Sequence, residues 1–67
     1  MKFKLKTDYI TLSQLLKVCD VVHSGGEAKE YLNSVEVLVN KEPDQRRGRK
    51  IRSGDVVETN GTRIEIE

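Results

Sequence analysis

The sequence predicts an α+β fold, with two short helices packed on a small, mostly antiparallel sheet. Three observations predict it. Between Thr11 and Val35 two helix-start patterns follow one another, each leading into apolar residues at helical spacing. At both ends of the chain apolar residues alternate with polar ones, the period of half-buried strands. Near the C-terminus the pair Asn60–Gly61 is the strongest hairpin signal in the chain, because both central residues of a type I′ turn need positive φ.

Met1 to Lys6 alternates lysine with apolar residues, so a strand is expected there with Phe3 and Leu5 inward and Lys2, Lys4 and Lys6 outward. From Thr11 the period lengthens. Leu12, Leu15, Leu16, Cys19 and Val22 form one helical stripe, with Ser13, Gln14, Lys17 and Asp20 facing away and a Thr11/Gln14 capping box at the start. Ser24 and Glu27 repeat the box and open a second helix with the stripe Ala28, Tyr31, Leu32 and Val35. The join, His23 to Gly26, admits only a sharp turn, and Gly25 and Gly26 are expected to permit close backbone approach.

Val35, Val37 and Val39 then return to period two, and Asn40 begins a polar loop containing Pro43 and Gly48. Ile51 resumes order, Ser53 to Asp55 reads as a turn, and Val56 to Thr59 as a strand. Thr62 to Glu67 is the return strand, with Ile64 and Ile66 inward and Arg63, Glu65 and Glu67 outward. Its acidic outer row is expected to pair with the lysines of the first strand, each pair contributing about 0.2–1 kcal/mol.

A chain of 67 residues is one domain, too small to sustain a deep cavity. Function therefore belongs on an outer face, in a loop or at a helix end. No apolar run approaches the roughly 20 residues that span a bilayer, and the start lacks the continuous apolar run of a secretory signal. The expectation is a cytoplasmic, monomeric protein without a membrane partner. Cys19 stands alone, which excludes an internal disulfide, and with His23 as the one other soft ligand no metal site is expected. Core packing is the expected role of Cys19. No phosphate-binding glycine loop, metal cluster or nucleophile with a placed base is present, so neither catalysis nor a cofactor is expected.

Net charge is only +1, but its distribution is uneven. Lys41 to Arg52 carries Lys41, Arg46, Arg47, Arg49, Lys50 and Arg52 against Glu42 and Asp44, six minus two or +4, which leaves −3 for the remainder. Guanidinium forks in such a cluster bind phosphate bidentately, and each phosphate neutralised releases counterions. A solvated loop without a partner explains the same residues. Ser24, Gly25 and Gly26 place free N–H groups at a helix start, where the dipole favours an anion, although plain capping accounts for them too. Lys29 lies on the polar side of that helix within reach of a phosphate. His23 is assigned a capping or surface role.

The order of these pieces resembles the RNA-binding domain named after ribosomal small-subunit protein four. The matching residues are Leu12 to Leu16, Ser24 to Lys29 (SGGEAK), Val37 to Asn40 (VLVN), Arg49 to Ile51 (RKI) and Gly54 to Val56 (GDV). The SGGEAK form is most similar to small stand-alone bacterial members, of the YaaA and YbcJ type. The chain departs from the wider pattern at Thr11 and Gly25, where an Arg is frequent, and at Lys41, where Gly is usual. The resemblance implies the alpha-L RNA-binding motif, a basic role for Lys29, and structured RNA, ribosomal or transfer, as partner, in a ribosome or another ribonucleoprotein assembly. The rival reading is a protein-interaction module that adds a partner's strand to an exposed sheet edge. Phe3 and Tyr31 are expected to face inward, leaving Tyr9 as the exposed ring, too little for a stacking platform of the kind that grips single strands.

Overall fold

The computed structural model describes residues 1–67. Helix α1 spans Leu12–Val18 and α2 spans Gly25–Ser34. Both helix starts are built as their residues dictate. The Thr11 hydroxyl accepts the Gln14 N–H while the Gln14 amide oxygen accepts the Thr11 N–H, a complete capping box. At α2 the Ser24 hydroxyl accepts the Glu27 N–H, but the Glu27 carboxylate turns past Ser24 to the N–H of His23. The expected second box is thus shifted back by one residue at its acidic end.

α1 stops earlier than its apolar stripe implies. Cys19 is its C-cap, Asp20 takes φ 63°, and the N–H groups of Val21 and Val22 both reach back to the carbonyl of Leu16. Val22 is fully buried by this turn rather than by a further helical turn. Val35 likewise caps α2 and belongs to no strand.

The main sheet has five strands in the order β1–β7–β6–β3–β4, namely Lys2–Phe3, Thr62–Ile66, Val56–Thr59, Val37–Val39 and Glu42–Pro43. Every pairing is antiparallel except β1 with β7. Asn60 and Gly61, at φ 48° and 78°, make the expected β6–β7 turn. A second turn of the same kind was not expected: Asn40 and Lys41 take φ 52° and 73°, so the segment read as a loop first reverses into β4. A separate two-stranded ribbon joins β2 (Ile10–Thr11) to β5 (Lys50–Ile51).

The first strand is shorter than the Met1 to Lys6 alternation implies, because only Lys2–Phe3 lies in a ladder, with Leu5 N–H to Glu67 carbonyl as a further bond. Of the expected charge pairs across it, Lys2 with Glu67 forms at 3.7 Å, between two well-exposed side chains. Such a pair contributes at most about 1 kcal/mol. The core is a single cluster in which Leu12, Leu15, Leu16, Val22, Ala28 and Leu32 meet Val37, Val39, Val57, Ile64 and Ile66 of the sheet and Ile51 of the ribbon. Cys19 and Tyr31 pack at its margin, half-buried, with the Tyr31 hydroxyl 2.7 Å from that of Thr59. Ile51 is the link that matters for the surface, since its burial pins β5 and the cationic loop before it to the domain.

Candidate nucleic-acid interface

The cationic loop is held by its backbone against the start of α1. The Leu12 N–H donates to the Arg49 carbonyl at 2.8 Å and the Ser13 N–H to the Arg47 carbonyl at 3.1 Å. With Gln14 N–H on Thr11, the open donors of α1 are taken by the chain itself. Arg46, Arg47 and Lys50 carry exposed side chains on that backbone.

Asp44 organises two of them. Its side chain is only 7% exposed, and its carboxylate receives Nε and one terminal nitrogen of Arg46 at 3.1 and 2.8 Å, the Arg46 backbone N–H at 2.9 Å and a terminal nitrogen of Arg49 at 3.0 Å. The side-chain bonds from Arg46 lead in holding its pKa down at about 2, against the opposing effect of burial, with the Arg46 backbone, the Arg49 bond and the Arg46 charge adding to them. Arg46 is raised in turn by the same partner. Composition alone counts Asp44 as one negative charge subtracted from the cluster. In the fold it sets the direction of two guanidinium groups.

Arg46, Gly48, Arg49 and Lys50 line an open cleft of about 410 Å³. Arg47 is exposed, and its side chain has no hydrogen bond or ion pair within the chain. Lys50 and Arg52 flank the Tyr9 ring, with Nζ and Cζ at 5.0 and 5.7 Å from its centroid. Lys41 stands apart, because its ammonium is held 3.1 Å from Glu58 of β6. A larger cleft of about 460 Å³ beside Glu36, Leu38 and Glu58 contains none of the predicted residues.

At α2 the N–H groups of Gly25 and Gly26 donate to no group of the chain. Neither glycine has positive φ, and a Cβ on either would meet nothing nearer than the Ser24 hydroxyl oxygen at 4.0 Å from Gly26. Close approach within the protein is therefore not what these glycines provide; the space over them opens outward. Lys29 is exposed and unpaired, and His23 lies 3.3 Å from Asp20. The loop adjoins the first turn of α1 while α2 begins beyond its last. Six residues, Cys19 to Ser24, lie between the end of α1 and the start of α2, and the cleft at the loop includes no residue of the α2 start.

A further constellation joins segments far apart in sequence. The Asn40 side chain donates to Asp55 at 3.0 Å and accepts the Val56 N–H at 2.9 Å, while the other Asp55 oxygen accepts the Arg52 N–H at 2.8 Å. This clamp ties the end of VLVN to GDV and fixes the residue after RKI, three pieces of the pattern that the sequence presents separately. The family model of the S4 domain matches residues 3–67. The chain belongs to the S4 domain family. A curated relative, the "Probable ribosome maturation protein RlbA" of Bacillus subtilis, is 60% identical over 57 residues, which cover 85% of this chain and 80% of the relative. In this S4-family chain the Asn40–Asp55 clamp lies within the fold's frame, while Arg46, Arg47, Lys50 and the first residues of α2 are exposed and Arg49 is half-buried against Asp44.

Proposed function

We propose that this domain binds structured RNA without catalysis, and that its RNA is ribosomal, met during maturation of the ribosome. Membership of the S4 family and the name of the Bacillus subtilis relative support the setting. The observation that carries the binding mode is Asp44, which presents Arg46 and Arg49 in a fixed orientation on a loop bonded to α1. Ordering a long cationic side chain costs up to about 2 kcal/mol of rotamer entropy, and here part of that cost is met before RNA arrives. Arg46 keeps its side chain 70% exposed while so held, leaving guanidinium edge for a phosphate.

The low net charge does not oppose this mode. At physiological salt, fields decay over about 8 Å, so a phosphate at the loop meets the local cluster and not the acidic remainder. Arg47 and Lys50 add cations with no counter-ion, and Gly25, Gly26 and Lys29 receive a phosphate further along the same folded RNA. Strand addition is the weaker reading: the sheet's edges are β1 and β4, two residues each, and Pro43 has no N–H to offer.

Crosslinking in cells followed by sequencing of the bound RNA tests the proposal. Reads concentrated at paired or junction regions of ribosomal RNA are expected. Recovery of no RNA, or of RNA without ribosomal enrichment, would reject it.

A further inference from the structure

We propose that the outer face of the β2–β5 ribbon is a subsite for one unpaired nucleobase, stacked on the Tyr9 ring with its neighbouring phosphates against Lys50 and Arg52. This deepens the RNA-binding reading and rests on it. In the ribbon Ile10 pairs with Ile51 and Thr11 with Lys50, so the two isoleucines turn to the core and the flanking residues turn to solvent. Continuing the register sets Tyr9 opposite Arg52 with Lys50 on the diagonal. The Thr7 hydroxyl donates to the Tyr9 carbonyl at 2.8 Å, which fixes the backbone that carries the ring.

Tyr9 is 41% exposed. Tyr31 shows what a packing tyrosine does in this fold: it lies half-buried with its hydroxyl bonded to Thr59. Tyr9 does neither. Lys50 and Arg52 lie over its ring on exposed side chains, and a stacking base displaces them by a change of rotamer.

Beside the ring is an open cleft of about 440 Å³ lined by Thr7, Asp8, Tyr9 and Gln14. The Asp8 carboxylate and the Gln14 amide nitrogen have no partner in the chain, so an acceptor and a donor flank the ring where the edge of a base would lie. The neighbouring cleft is the cationic one, and Lys50 belongs both to it and to the Tyr9 ring. Phosphate-binding and base-stacking groups are therefore contiguous. Since Phe3 and Tyr31 pack against the core, no second ring continues the platform. The geometry suits a single bulged or flipped nucleotide in an otherwise folded RNA rather than a run of single strand.

The test compares a hairpin RNA carrying one bulged 2-aminopurine with the same hairpin lacking the bulge, each titrated into wild-type protein, Tyr9→Phe and Tyr9→Leu. Wild type and Tyr9→Phe are expected to favour the bulged hairpin by about 5- to 100-fold, with quenching of the probe as it stacks. Tyr9→Leu removes that preference and the quenching. Equal affinity of wild type for both hairpins, or an equal loss on both in Tyr9→Leu, would overturn the subsite and leave the ring as a support for Lys50 and Arg52. If neither hairpin binds wild type at all, the RNA-binding reading itself fails.

Discussion

Replacing Asp44 with Asn isolates the residue that orders the cationic loop. The carboxylate titrates at about 2 in the fold against 3.8 for an ordinary Asp. At about 1.4 kcal/mol per pKa unit the difference is roughly 2.5 kcal/mol, and solvent screening through the exposed Arg46 reduces it to about 1–2 kcal/mol. Because the folded pKa is depressed, this stability is fully present above about pH 4 and is lost as pH falls through about 2. Asp44→Asn is therefore expected to lower Tm at pH 7 by about 5–15 °C, given about 4–8 °C per kcal/mol in a domain of this size. The gap to wild type should close between pH 4 and 2. Thermal melts followed by circular dichroism across pH 7 to 2 measure it. The same variant raises net charge by one yet releases Arg46 and Arg49 from their fixed directions, so weaker RNA binding is expected. A pH-independent Tm gap, no gap at all, or tighter RNA binding would refute the role given to Asp44.

Reversing Arg47 and Lys50 to Glu should reduce hairpin binding at least about tenfold with little change in Tm, because surface changes cost about 0.5 kcal/mol or less; anisotropy titrations and melts decide it. Extending the reversal to Arg46 and Arg49 places carboxylates beside Asp44, so those variants should lose stability as well as binding. Gly26→Ala fills open space in the first turn of α2 and should gain about 0.4–1 kcal/mol in denaturant unfolding, while weakening RNA if a phosphate approaches that backbone. Asn40→Ala removes the bonds to Asp55 and Val56 at a residue with φ 52°, and should cost at least about 1–2 kcal/mol in the same assay.

The sequence exposes what short-range chemistry determines. Thr11 and Ser24 cap helices through their own neighbours, and Asn60–Gly61 turns the chain without help from elsewhere. The Asn40–Lys41 turn escaped because a lysine at positive φ carries no local signal; the clamp from Asp55 and Val56, fifteen or sixteen residues away, holds Asn40 in place beside it. The β2–β5 ribbon is two residues per strand and exists through tertiary contact, so no alternation announces it. The cations of the site were legible by composition. Their arrangement was not, because the counter-ion role of Asp44 depends on its burial, and the separation of Lys41 depends on the register that places Glu58 across the sheet.

The salt dependence of hairpin RNA binding tests the central claim most directly. With about four to six phosphates neutralised, log affinity should fall against log salt with a slope of about −3 to −5, and the Arg47/Lys50 reversal should make that slope shallower. An affinity that stays flat with salt, or a slope that the reversal leaves unchanged, would contradict recognition through this loop.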